Sequence, residues 1–303
     1  MLSILIPTYN FNCSKLCRCL QKQASELGVD FEILVYDDFS PNKYDDNKEL
    51  ASLPNVIYKE LPKNYGRAAI RNLMADDSKY NYLLFLDCDG EIASKNYLNL
   101  YMKFKDDADI VCGGRIYPAR EKIKCKHLLH WNYGKKRESL CNRTDAKSFM
   151  TNNFLINKKV FNSTRFDETM VGYGHEDTAF GIELKQKGYK FKIIKNPIIH
   201  LGLYEAGDFL KNTRNSIENL VKIIDNKYKI EDFFDIKLVK TYFIVNRLGL
   251  RPLMSLYFRL FAKSIERNLS SKRPNLCLLD TYKLGYYCYI VKKPQFRPSI
   301  SQV

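Results

Sequence analysis

Short apolar runs alternating with polar, helix-patterned stretches set the rhythm of the first 115 residues. The runs 3–7 (SILIP), 31–36 (FEILVY), 55–60 (NVIYKE), 82–87 (YLLFLD) and 109–114 (DIVCGG) each have the length of a buried strand. Between them, 14–27, 41–52, 67–78 and 94–104 read as helices. Strands separated by helices predict βαβ units and a mainly parallel, doubly wound sheet, so the fold class is α/β. Ligands of such sheets gather at the carboxyl ends of the strands. That rule makes neighbours of PTYN (7–10), DDFS (37–40) and DCDG (87–90), each of which follows a predicted strand.

After residue 115 the alternation weakens. A basic stretch containing Tyr and Trp leads to a strand-like run at 147–161 (KSFMTNNFLINKKVF), and NPIIHLG (196–202) supplies another. Beyond about 205 the pattern is helical, which gives a first domain over 1–205 and a helical, basic C-terminal region over 206–303. Within 238–269 the apolar runs are cut by Arg247, Arg251 and Arg259. None of them reaches the ~20 apolar residues a membrane-crossing helix needs. Two readings fit: a basic amphipathic helix lying on a membrane surface, or a helical cap packed on the first domain.

Charge sharpens this picture. The 303 residues carry 49 Lys and Arg against 34 Asp and Glu, a formal charge of +15. The excess crowds into 120–147 and into 237–303, where thirteen basic residues face two acids, Glu266 and Asp280. Such a surface suits nucleic acid, anionic lipid or a phosphorylated ligand. The nine cysteines include no CxxC pair, which removes a zinc ribbon or thioredoxin-like site. Their odd number, with an N-terminus lacking a basic leader, leads us to expect reduced thiols in a cytoplasmic protein, peripheral on the inner face of the cell membrane if the basic region binds lipid.

Five places carry candidate chemistry. Asp87 and Asp89 end an apolar strand, where two like charges are costly unless a cation sits between them. Read as extended backbone, Asp-x-Asp puts both carboxylates on one side, and hard oxygen donors there suit a divalent cation sharing phosphate oxygens. Asp38 can accept hydrogen bonds from a base or ribose, whereas Asp37 fits a turn or helix cap. In NYGRAAIRN (64–72), Arg67 and Arg71 fall on one helix face and suit a diphosphate, or are merely solvated. In GYGHED (172–177), Asp177 at a helix start should stay ionised, as a general base must. His200, ending a strand-like run, is a candidate third metal ligand.

Together SILIPTYN, FEILVYDDFS, NYGRAAIRN, LLFLDCDG and GYGHED, in this order, resemble the family 2 glycosyltransferases of GT-A (Rossmann-like) fold over residues 3 to about 205. The resemblance implies an inverting, metal-dependent hexosyl- or N-acetylhexosaminyltransferase of cell-surface polysaccharide synthesis. Its donor would be a nucleoside-diphosphate sugar, with UDP favoured, and its acceptor a glycan or lipid-linked glycan. It implies donor contacts at Pro7, Thr8, Tyr9, Asp38, Asn64, Arg67, Arg71, Asp87 and Cys88. Mn²⁺ or Mg²⁺ would bind Asp87 and Asp89, with His200. Asp177 would be the base with Glu176 beside it, and Tyr173, Gly174 and Asn153 would meet the acceptor. An anionic membrane surface is a candidate partner and nucleic acid is not. No QxxRW motif occurs, which argues against a processive, cellulose-synthase-like polymerase. A sugar-1-phosphate nucleotidyltransferase would need a glycine-rich loop after the first strand, and IPTYNFNCS has none. A basic nucleic-acid-binding protein would place cations, not carboxylates, at these strand ends.

Overall fold

A computed structural model of the chain describes residues 1–139, 149–170, 172–226 and 230–291. The sequence-predicted strands and helices of the first half are present: β1 (Leu2–Thr8), α1 (Ser14–Ser25), β2 (Phe31–Asp37), α2 (Asp45–Lys48), β3 (Val56–Glu60), α3 (Gly66–Asp77), β4 (Tyr82–Leu86), α4 (Tyr97–Phe104) and β6 (Ile110–Cys112), with an unpredicted two-residue strand, β5 (Gly90–Glu91), between β4 and α4. The helix expected over 41–52 is a single α-turn continued by a 3₁₀ turn, Glu49–Ser52. β7 (Arg115–Ile116), α5 (Leu128–Tyr133), β8 (Asn153–Asn157), α6 (Lys158–Thr164), α7 (Glu176–Gln186), β9 (Phe191–Ile193) and β10 (Ile198–His200) follow, and then α8 (Ala206–Asn226), α9 (Lys237–Arg247), α10 (Arg251–Leu269) and α11 (Leu276–Ile290). Residues 140–147 of the first basic stretch lie outside the described residues.

Seven strands form one sheet in the order β3-β2-β1-β4-β8-β6-β9. The pairs β1–β2, β2–β3, β1–β4 and β6–β9 are parallel, and β8 runs antiparallel to both β4 and β6. This is the mainly parallel, doubly wound sheet of the GT-A fold. Its central strands are buried on both faces, as their unbroken apolar runs require. One face carries Ile4, Ile33, Leu84 and Leu155 against α1 and α4; the other carries Leu5, Leu34, Phe85 and Phe154 against α3, α6 and α7. A second sheet, β5-β10-β7, has three very short strands.

The chain divides into two compact units, of which the first is Met1–Lys122, Gly134–Val171 and Glu176–Leu203. The second takes in Ile123–Tyr133, Gly172–His175 and everything from Tyr204 onward. It is helical, with Phe209 and Leu210 of α8 packed among Phe258, Leu269, Leu279 and Tyr282. Among the described residues no helix is long and apolar enough to cross a membrane.

Candidate active site

The two aspartates after β4 do not share a side of extended backbone. The chain turns at Cys88–Asp89, closed by the Gly90 N–H donating to Asp87 O at 3.3 Å, and then enters β5. Period-two alternation fails across a turn, so the carboxylates face different partners. Asp87 Oδ1 accepts from Arg71 Nη2 at 2.8 Å, and Arg71, held on α3, is buried. Asp89 Oδ1 lies 3.3 Å from His200 Nδ1. The small sheet makes that contact, because β10 pairs antiparallel with β5 and sets His200 opposite Gly90. Gly202 lies against the same carboxylate, where any Cβ would come within 2.0 Å of Asp89 Oδ2. Burial raises the Asp89 carboxyl, but His200, followed by Arg115 and Arg67, outweighs it and holds Asp89 below the usual carboxylate range.

Arg115 escaped the sequence reading. It begins β7, three residues past the end of β6, where β10 pairs alongside in parallel. Its place just beyond a strand's carboxyl end was the available signal. Burial opposes its charge, yet Glu138, Tyr117, Asp87 and Asp89 more than compensate and keep it protonated. Tyr117 donates to Glu138, whose carboxylate also lies 3.4 Å from Arg115 Nη1.

Asp177 and Glu176 open α7. Glu176 is buried, its Oε1 is 3.6 Å from Arg67 Nη1, and its Oε2 has no hydrogen-bond partner. Asp177 is half-buried, with its Oδ1 accepting from the Thr178 N–H at 2.7 Å. The Asp177 carboxyl is not that of an ordinary exposed carboxylate. Burial first, and then the negative charge of Glu176, push the Asp177 carboxyl up to about 6, against the downward pull of Thr178, Arg115 and Arg67. The helix terminus does not outweigh desolvation beside a second carboxylate.

At the end of β1, Thr8 is buried and Tyr9 is half exposed, while Pro7 pairs with Tyr36 of β2. Asp37 caps a turn by accepting from the Ser40 N–H at 2.7 Å. Asp38 is buried and organises the loop before α3: its two oxygens accept from the N–H groups of Tyr65 (2.7 Å) and Gly66 (2.9 Å), and Asn64 Nδ2 donates to its carbonyl at 2.9 Å. Gly66, at φ +80°, takes the left-handed turn this requires. Burial raises the Asp38 carboxyl despite these two bonds. The Cys88 thiol is raised by burial and by Asp89, and it packs on the core with the Tyr9 N–H beside it.

Asn153, at the start of β8, is part of the buried hydrogen-bond framework. Its side chain is buried and engaged on every side, accepting from Tyr97 and Tyr101 and donating to the carbonyls of Gly114 and Asn196. The residue before it differs. Asn152 is buried, both polar atoms of its amide lack a hydrogen-bond partner, and its carbonyl accepts from the Asp87 N–H at 3.1 Å. In the second unit, Gly172 (φ +115°) and Gly174 (φ +91°) let the loop run close against α8, with Asn219 donating to Tyr173 O at 3.2 Å. That loop is packed, and the Tyr173 ring meets Tyr204 edge to face.

Among the described residues no three His, Cys, Asp or Glu side chains assemble as a metal cluster. Asp87 is already neutralised by Arg71, so it does not fit the expected three-ligand set. Asp89 and His200 do fit a divalent cation: one carboxylate oxygen is buried without a hydrogen bond, an imidazole nitrogen faces it, and diphosphate oxygens would complete the shell.

Comparison with known proteins points the same way. The model of "Glycosyl transferase family 2" matches residues 3–165. Chondroitin synthase of Escherichia coli is 27% identical over 241 residues, covering 66% of this chain but only 34% of that protein. The uncharacterized glycosyltransferase YfnE of Bacillus subtilis is 25% identical over 244 residues, 63% of this chain and 62% of YfnE. The chain thus spans about a third of that chondroitin synthase. Among solved structures, the mannosyltransferase PcManGT of Pyrobaculum calidifontis, in complex with GDP-Man and Mn²⁺, superposes with a TM-score of 0.60 at 13% identity, covering 95% of this chain and 84% of that one. S. aureus TarS 1-349 gives 0.51 at 16% identity, covering 95% and 90%. These likenesses show the fold.

Proposed function

Because this chain belongs to glycosyl transferase family 2, we propose that it moves a hexosyl or N-acetylhexosaminyl group, with inversion, from a UDP-sugar to a hydroxyl of a glycan or lipid-linked glycan in cell-surface polysaccharide synthesis. TarS 1-349 has been solved with UDP-GlcNAc, with a TM-score of 0.50, and the similarity to chondroitin synthase favours a polysaccharide acceptor.

One observation carries the reading. Arg67 Nη1, from α3, lies 3.6 Å from Glu176 Oε1 at the start of α7, and the charges of Arg67 and Arg115 favour the ionised forms of both Asp89 and Asp177. Asp177, with its carboxyl near 6, is largely ionised at neutral pH yet more basic than an ordinary carboxylate, which suits it to accept the acceptor hydroxyl proton. Glu176, fixed by Arg67, keeps the neighbouring negative charge that maintains this basicity. Arg67 and Arg115 stabilise charge developing on the departing diphosphate. Arg71 holds Asp87, and Asp38 holds the loop of Asn64, Tyr65 and Gly66. Asp89 and His200 would hold Mn²⁺ or Mg²⁺, which supplies further charge neutralisation on the leaving group. The strand-end acids and the family membership disfavour the nucleotidyltransferase and nucleic-acid readings. The test is a panel of nucleotide-sugars scored for released nucleoside diphosphate with and without Mn²⁺. Turnover of a UDP-sugar supports the reading; release from none of the panel contradicts it.

A further inference from the structure

α10 has two apolar faces, and only one is used in packing. Phe258, Ile265 and Leu269 are buried in the helical unit's core. On another side of the same helix Leu253, Leu256 and Leu260 are 62%, 47% and 66% exposed. Their i, i+3, i+7 spacing sets them in one row along the helix. A helix that only caps a core needs one apolar stripe, and a second row in solvent marks an interaction surface.

The charges beside this row are of one sign. Arg259, Lys263 and Arg267, each exposed, follow at i, i+4, i+8 and form a basic row next to the leucines around the helix. The single acid of α10, Glu266, is taken up inside the unit, accepting from Arg214 Nη1 at 2.8 Å and from the Tyr282 hydroxyl at 2.6 Å. α9 contains no acid, and Leu248 and Leu250, at the turn into α10, are 65% and 45% exposed.

We propose that this leucine-and-arginine face of α10, with the α9–α10 turn, docks in the headgroup layer of an anionic lipid bilayer. A row of leucines beside a row of cations, with no acid exposed among them, matches the cross-section of such a membrane, where acyl chains lie beneath a layer of negative charge. A second copy of the chain would bring two basic rows together, and like-charge contact disfavours that occupant. α10 itself is too charged to cross the bilayer, so it lies on it.

The test uses the full chain and sedimentation with vesicles of neutral phosphatidylcholine, or of the same lipid with about a third phosphatidylglycerol. We expect binding to the anionic vesicles that weakens as salt rises. Leu253→Ser/Leu256→Ser/Leu260→Ser should lower the partition coefficient at least about tenfold at low salt. Arg259→Gln/Lys263→Gln/Arg267→Gln should lower it comparably and flatten its salt dependence. Both variants change only exposed side chains, and an unchanged melting temperature verifies that they fold. Equal sedimentation with neutral and anionic vesicles, or a leucine variant that binds as the unaltered chain does, overturns the proposal. So does a chain that ignores vesicles and forms a concentration-dependent dimer abolished by the leucine substitutions. No readout depends on sugar transfer, so failure here leaves the catalytic reading to its own test.

Discussion

Arg71 Nη2 lies 2.8 Å from Asp87 Oδ1, so the first acid after β4 has its counter-charge built into α3. The two strand-end aspartates are therefore not equivalent. Arg71 is 5% exposed and Asp87 27%, so removing the arginine strands a mostly buried carboxylate. We expect Arg71→Ala to destabilise the fold by roughly 3 kcal/mol, the lower end for a broken buried pair because Asp87 keeps some solvent. The double variant with Asp87→Asn should recover part of that loss. Denaturant unfolding of the four species measures the coupling, and strict additivity would show that the pair does not interact.

The same asymmetry separates the aspartates in ligand binding. Asp89→Asn should remove most of the Mn²⁺-dependent thermal stabilisation produced by UDP, because Asp89 with His200 is the proposed cation site. Asp87→Asn should keep the difference between Mn²⁺ and EDTA while lowering stability overall. Melting curves with UDP decide this, and the opposite ranking would return the metal to Asp87.

With Asp177 as the proposed base, its carboxyl, raised to about 6, should set the pH dependence of activity. The active form of a base is deprotonated, so activity should be present above that value and fall about tenfold per pH unit below it. Glu176→Gln deletes a charge that raises Asp177, and the acid limb should then move to lower pH. A kcat/KM profile from pH 4.5 to 8.5 checks both statements. A limb near 4, or one unmoved by Glu176→Gln, would show that Asp177 is not the titrating group.

Much of this was legible because the signals are local. The central strands announced themselves as apolar runs, and the strand-end rule placed Asp38 just past β2, Asp87 just past β4 and His200 at the end of β10. What escaped depended on tertiary pairing. β5 and β7 are two residues long, too short for any periodic pattern, yet their pairing with β10 sets His200 beside Asp89 and Arg115 alongside. The pleat argument for Asp87 and Asp89 failed because the chain turns at Cys88–Asp89 directly after β4 instead of staying extended. Asn152 and Asn153 look alike in sequence, and only burial and partners tell them apart.

That difference gives a further expectation. Asn152→Ala removes a buried amide with no hydrogen-bond partner beside Asp87, which relieves a desolvation cost and should leave stability equal or higher. Asn153→Ala breaks four hydrogen bonds to Tyr97, Tyr101, Gly114 and Asn196, and should cost several kcal/mol, about one for each bond. Unfolding midpoints compare the two. A larger loss for Asn152→Ala would mean that its amide is a structural element.

The proposed role of Asp177 as the base is tested most directly by Asp177→Asn, which keeps the side chain's shape while removing its basicity. The measurement is kcat at saturating donor and acceptor, with donor affinity taken separately from UDP binding. We expect kcat to fall by about 10²–10⁴-fold, the usual worth of a general base, with UDP affinity nearly unchanged. An Asp177→Asn enzyme that turns over at the unaltered rate would contradict it.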